Sequence, residues 1–383
     1  WAIVVSSVVF CANAADIVGV YAMRLISGDT EPDSLPCIAI GLGFIVAMTA
    51  LAYTGVRFTA RTQIVVVGAQ LVVLGALVAI AFARVVGGDA TETAEVPSWT
   101  WVNPVGDLDL TSATQALLLG VFIYWGWDTA MSVNEETHAP SRTPGRSVLV
   151  ATATLVGCYA LVAVALQAFA GTAILGGPDA GEDVFAVVAE PLLGEIGVTV
   201  LSIMVIVSAA AALATTILPS SRTVFAMATF RAAPRVFSRT NSHGTPSVST
   251  IGIGVAGCAF YLGMAAVSDN ILQDSILSIS LAICVYYAIT GLASAVWFAR
   301  SARGVIPRLA KVILPGIGAL MMVAVLIRSA IDMADPEYGD TSLFGVGGAL
   351  IVGAGSLLAG IVVMAIWERI APSFFRTGRR GAA

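Results

Sequence analysis

The chain has 383 residues, of which 58% are hydrophobic and 11% charged, with a mean hydropathy of +0.91. Soluble domains run at about 45–50% apolar and about 25% charged, so this composition excludes a soluble globular protein and specifies an integral membrane one. Cys11, Cys37, Cys158, Cys258 and Cys284 show no paired spacing, which gives neither a disulfide framework nor a metal-ligand pattern, and the formal net charge of −5 is sorted by side.

Apolar runs of about 20 residues, the length that crosses hydrocarbon, predict ten helices at 1–26, 35–55, 60–87, 112–134, 147–173, 191–219, 247–268, 272–299, 308–333 and 344–370. The alternating segments of about ten residues that mark a membrane β-barrel are absent. The first helix opens at Trp1, already inside an apolar run and without Met or a basic flank, so residue 1 reads as a cut point rather than the start of a signal peptide. It carries Asn13 and Asp16 in "FCANAADIVGVY", and the i,i+3 spacing sets them on one helical face. Two readings stay open for the pair: it lines a polar cavity, or it hydrogen-bonds a neighbouring helix. In the third helix, Gln70 in "VVVGAQLVVLGA" reads as interhelical packing.

The fourth helix is the unusual one. "VFIYWGWDTAMSVNEET" places Gly126 between Trp125 and Trp127, puts Asp128 two residues on, and runs out into Asn134, Glu135 and Glu136. Backbone groups freed in hydrocarbon cost several kcal/mol each, so a helix break survives only where it lines a cavity or is buried in protein. Transporters bind substrates and coupling ions at such breaks. The alternative is a tightly packed glycine that lets a neighbouring helix approach. A carboxylate within the span is a functional signal by default, and Asp128 favours the cavity. His138 and His243 both fall in loops, which argues against a histidine proton relay or a zinc hydrolase in the membrane.

The loops set orientation. Sixteen of the 19 basic residues, among them Arg57, Arg142, Arg222, Arg235, Arg303 and Arg376, fall on one side. The other side holds Arg24, Arg84 and Arg328 with the acidic clusters "SGDTEPDS", "GGDATETAEV", "GGPDAGED" and "DMADPEYGD". Basic short loops mark the cytoplasm, so both ends of this chain are expected inside.

"VFIYWGWDTAMSVNEETHAPSRTPGRS" resembles helix 6 and the following loop of the amino acid–polyamine–organocation superfamily of permeases. "SSRTVFAMATFRAAPRVFSRTNSHGTPSVST" is similar to the loop after helix 8, with Arg222, Met227, Pro234 and Pro246 at family positions, and "YTGVRFTARTQ" resembles the loop entering helix 5. The resemblance covers essentially the whole chain and is nearest to actinobacterial amino acid permeases. It implies an all-α, polytopic membrane fold: an inverted five-plus-five helix repeat with two extra C-terminal helices, truncated at its N-terminus. On this reading 1–87 are helices 3–5 of the first repeat and 112–299 are the second repeat. Residues 308–370 are the two C-terminal helices, and 371–383 form a cytoplasmic tail. The counterpart of the break would otherwise fall in 308–333, where Pro315 and Gly316 lie near one end and nothing interrupts the middle. The partner break is therefore expected upstream, and residues 1–383 alone are expected not to transport.

The resemblance further implies a secondary transporter of the cytoplasmic membrane, not an enzyme, that moves an amino acid or related amine by alternating access. Phe122 matches an aromatic that gates substrate in relatives. The carbonyl of Trp125 and its neighbours, from Tyr124 through Gly126 and Trp127, would face a substrate ammonium. Asp128 matches an acid that links the site to gating, while Asn13 and Asp16 join the expected site. No cofactor and no nucleic acid are expected; the partners are the small-molecule substrate and membrane lipids. The coupling ion, a proton or sodium, stays open, as does the oligomeric state. Some proton-coupled members carry a lysine where this chain has Gln70, which cannot titrate. The competing class is a non-transporting membrane sensor or scaffold. An intramembrane enzyme would need a Ser/His, GxGD-like or metal-ligand set that the sequence does not show.

Overall fold

The computed structural model of the chain describes residues 1–28, 34–55, 59–103, 109–132, 137, 139, 142–177, 184–372 and 374–375. Asn134, Glu135, Glu136 and His138 lie outside the described residues. The fold is all-α: α1 Ala2–Ser27, α2 Leu35–Thr54, α3 Thr59–Gly87, α4 Leu110–Ile123, α5 Thr129–Ser132, α6 Thr143–Leu175, α7 Val184–Thr229, α8 Ser247–Val267 and α9 Ile271–Phe298. α10 spans Val305–Asp332, with a π-helical turn at Leu309–Ile313, and α11 is Gly348–Ile370. Two-residue strands, Ser342–Leu343 and Val346–Gly347, pair between α10 and α11. Among the described residues nine helices are long and apolar enough to cross a membrane, and α4 is a shorter apolar one. The tenth predicted span is the one divided into α4 and α5.

Two predicted boundaries are corrected. The span expected at 191–219 belongs to α7, which starts at Val184, ends at Thr229 and is kinked at Gly194 (φ 69°, ψ −176°). α6 is kinked likewise at Gly171 (φ 73°, ψ 164°). Hydropathy sees apolar length and is blind to a kink that leaves composition unchanged.

α1 is the central helix, packed against α2, α7, α8 and α9. Between helices in lipid there is no hydrophobic drive, and close van der Waals approach through small residues holds them together. Gly41 of α2 shows it: a Cβ there would sit 2.8 Å from the Ala15 carbonyl of α1 and 2.7 Å from the Tyr261 ring of α8. A core of Cys11, Ile45, Leu213 and Tyr261 joins α1, α2, α7 and α8. A second core of Leu77, Leu166, Phe169 and Leu192 joins α3, α6 and the start of α7. A third, of Leu118, Leu281, Val325 and Met333, joins α4 to α9 and α10.

Hydrogen bonds tie the helix ends and connections together at each end of the bundle. In the basic set, Asn241 Nδ2 donates to the Tyr53 carbonyl at 2.7 Å, and Trp367 Nε1 donates to the Arg231 carbonyl at 3.0 Å. In the acidic set, Asn270 Nδ2 donates to Asp340 at 2.8 Å, and Arg84 Nη1 donates to the Pro191 carbonyl at 3.0 Å. Residues 91–95 cover the kinked end of α6. Thr91 Oγ1 donates to the Phe169 carbonyl at 2.8 Å and Thr93 Oγ1 to the Ala170 carbonyl at 2.6 Å. Glu95 Oε1 accepts from the Thr172 amide at 2.8 Å and from the Thr172 hydroxyl. The Thr172 side chain, then its amide, hold the exposed Glu95 carboxyl below the usual carboxylate range.

A depressed carboxylate stabilises above its ordinary value and loses that contribution as pH falls through its folded one. The protection of the amides at residues 168–172, measured against their intrinsic exchange rate at each pH, is therefore expected to fall at acidic pH. Glu95→Gln is expected to show the lower protection already at neutral pH, with no further loss of protection on acidification.

Candidate functional site

α4 ends at Ile123 and α5 begins at Thr129, so residues 124–128 are not helical. The cause is at Gly126, whose φ of 106° lies where L-residues are strained and glycine is not. A Cβ at Gly126 would have no heavy atom within 4 Å. What marks this glycine among the described residues is its backbone angle and not a close neighbour. Across the break the chain is held by isolated turns: the Trp125 amide donates to Phe122 and the Thr129 amide to Gly126, both at 3.1 Å. Among the described residues no backbone amide donates to the Tyr124 or Trp125 carbonyl. The Ile123 carbonyl accepts from Tyr159 Oη of α6 at 3.1 Å.

The side chains of the break are fastened to three helices. Trp125 Nε1 donates to Tyr286 Oη of α9, and that hydroxyl donates to Asp128 Oδ2 at 3.3 Å. Phe10 of α1 meets Trp125 edge-on at 5.6 Å between centroids and approaches Phe122 at 6.5 Å. Tyr124 meets Tyr159 edge-on at 5.4 Å, and Trp127 lies 5.5 Å from Tyr287. Such offset and edge pairs are preferred by the ring quadrupoles. The two halves of the broken helix have different neighbours: α4 packs on α9 and α10, α5 on α6 and α7.

The break opens on a cavity of about 820 Å³, within the range of small-molecule sites. Phe122, Tyr124, Trp125, Gly126, Trp127 and Asp128 all line it. The facing wall is α7, with the hydroxyls of Ser208, Thr215 and Ser220, and α1 adds Phe10 and Asn13. Asp128 is the one charged side chain among the lining residues described. Carbonyl oxygens, a carboxylate and aromatic faces together suit a cationic nitrogen on a partly apolar body.

Asn13 and Asp16 part company. Asn13 lines the cavity while its Nδ2 donates to Ser275 Oγ of α9 at 2.9 Å, so it serves both of the roles considered for it. Asp16 is buried but is not among the cavity residues. The lining stripe of α1 runs through Ile3, Ser7, Phe10, Asn13, Ala14 and Ile17. At about 100° per residue, Asp16 points roughly 125° away from the centre of that stripe. Asp16→Asn in the full-length protein is accordingly expected to lower the melting temperature and leave the affinity of the folded fraction unchanged. Asn13→Ala is expected to weaken binding as well, and thermal unfolding with and without substrate distinguishes the two. Gln70 is half-buried, one turn from the cavity residue Val67.

Tyr159, Tyr286 and Tyr287 were missed by sequence reasoning. The signal was present in "GCYALV" and "ICVYYAIT", since a phenol in an apolar span must find a partner for its hydroxyl. The sequence does not say that all three would converge on the same break.

The fold and the cavity together define a polytopic α-helical membrane protein built around a broken helix. A family profile described as amino acid permease matches residues 1–368, and the chain belongs to that family. It is 29% identical over 297 residues to an uncharacterized transporter of Mycobacterium bovis, and to the same degree to uncharacterized transporters of two strains of Mycobacterium tuberculosis. The matched region is 76% of this chain and 59% of each relative, so the chain spans less than two thirds of the length of those relatives.

Proposed function

We propose that this chain carries the substrate cavity of a secondary active transporter that moves an amino acid or related amine across the cytoplasmic membrane by alternating access. The observation that supports it most is the interruption at residues 124–128, which presents the Tyr124 and Trp125 carbonyls and Asp128 beside the cavity. Irregular backbone of this kind is tolerated at membrane depth only where it does such work or is buried. A substrate ammonium is met by those oxygens, and Phe122 closes over its apolar part. Asp128 is the titratable group available to a coupling proton; a sodium ion would use the same oxygens. The basic loops and the C-terminal tail face the cytoplasm, and 1–87, 112–299 and 308–370 are the remaining first repeat, the second repeat and the C-terminal pair.

The test is uptake by the full-length protein in liposomes, with the twenty amino acids and 1,4-diaminobutane supplied one at a time under an imposed proton or sodium gradient. Saturable accumulation that collapses with the gradient is expected. Tight binding without any accumulation would instead mark a sensor with the permease fold.

A further inference from the structure

Arg328 is one of only three basic residues assigned to the acidic side of this chain, and it is placed where two helices meet. It lies one turn before the end of α10, with Nη2 2.6 Å from Asp332 Oδ1. The same nitrogen donates to Thr111 Oγ1 of α4 at 3.1 Å. Thr111 is two residues beyond Asp109, whose side chain caps α4 by accepting from the Ser112 amide at 2.9 Å. An exposed i,i+4 ion pair contributes little, but here the Asp332 side chain is only 8% exposed. Asp332 Oδ2 and Arg328 Nε are buried and have no hydrogen-bond partner among the described residues. Removing Arg328 therefore leaves the mostly buried Asp332 carboxylate without its charge partner.

This contact closes a series. Deeper along α4, Ser280 Oγ of α9 donates to the Leu118 carbonyl at 3.0 Å, and Leu118 packs with Leu281 of α9 and Val325 of α10. α4 is thus held along its length by α9 and α10, whereas α5 rests on α6 and α7. Between them lie residues 124–128, with φ 106° at Gly126. We infer that Arg328 and Asp332 are positioning residues that pin the outer end of α4 to α10. α4 is then held to α9 and α10 as one body at both its outer end and its middle. Neither residue touches the cavity, so their effect falls on the rate of interconversion and not on the contacts that hold substrate. The kinetic part of this inference rests on the transporter reading; the mechanical part does not.

The test is amide exchange on the full-length protein in lipid nanodiscs, followed over residues 110–123 and, as references, over α1 and α8. Arg328→Met is expected to speed exchange in α4 by about tenfold while α1 and α8 hold, since local opening is read segment by segment. Arg328→Lys keeps the pairing with Asp332 and is expected to restore exchange to within about threefold, because a lysine gives a point charge without the guanidinium fork. Thr111→Val removes only the α4 hydroxyl and is expected to loosen the first turn alone, which keeps the question decidable if Arg328→Met folds poorly. For whichever of the twenty amino acids the wild type takes up, Arg328→Met is expected to lower the maximal rate about tenfold with KM within about twofold. Unchanged exchange in α4, or an equal rise in every helix, would overturn the clamp. So would a raised KM at an undiminished rate. If neither any of the twenty nor 1,4-diaminobutane is taken up, the transporter reading fails while the exchange result still decides the clamp.

Discussion

Replacing Gly126 with leucine is expected to give a protein that still inserts and folds but no longer binds substrate. At φ 106° a side chain is strained by roughly 1–3 kcal/mol, and leucine recovers close to ~1 kcal/mol of helix propensity relative to glycine. Both terms drive residues 124–128 toward a continuous helix. The first atom of the new side chain meets no clash, since no described residue beyond its chain neighbours comes within 4 Å of the Cβ position. In a rebuilt helix the amides of residues 128 and 129 reclaim the Tyr124 and Trp125 carbonyls, and Trp125 and Asp128 rotate away from Tyr286. Equilibrium binding of labelled substrate to the full-length variant is expected to fall by at least about 100-fold, the equivalent of losing roughly 3 kcal/mol. Monodisperse elution should show that folding is kept. A folded Gly126→Leu protein with wild-type affinity would show that the site lies elsewhere.

The second large effect is expected at the Trp125–Tyr286–Asp128 chain. Asp128→Asn keeps the break and an acceptor oxygen but removes the charge, so binding is expected to persist within a few-fold while the transport rate falls about tenfold, the scale of one charge-assisted hydrogen bond. If the coupling ion is a proton, this variant equilibrates substrate without accumulating it. Tyr286→Phe strands both Trp125 Nε1 and the carboxylate, and a similar loss of rate is expected. Because the hydroxyl and the carboxylate act through one contact, the double variant should be little worse than either single one. Losses that multiply would show that the two residues act independently.

Much of the architecture was legible because lipid imposes severe rules on sequence. Ten apolar runs and the sorting of basic loops follow from the cost of charge and of unpaired backbone in hydrocarbon. Asn241, in one of the basic loops, hydrogen-bonds the Tyr53 carbonyl at the end of α2. The break at Gly126 was visible as well, because glycine between tryptophans ahead of a carboxylate serves no purpose in a lipid anchor. The kinks at Gly171 and Gly194 were not, because hydropathy reports apolar length and not the backbone angle at a glycine. The neighbours of the break were out of reach for a different reason. Tyr286 and Tyr159 come from sequence positions far from the glycine, and only the packing of α9 and α6 delivers them. Asp16 shows the converse: a carboxylate in a span reads as part of the site, yet the turn of α1 faces it away from the cavity stripe.

Substrate protection of a cavity thiol tests the central claim most directly. Ser208 on α7 faces the break across the cavity, and the partly exposed Cys158 and Cys258 can be replaced by alanine to leave Ser208→Cys as the reporter. In full-length protein a maleimide is expected to label this cysteine, and an amino acid that is taken up should slow labelling with the same concentration dependence as its uptake. In the Gly126→Leu background the reagent should still react and the protection should vanish. Saturating substrate that leaves the labelling rate of Ser208→Cys unchanged would contradict the account.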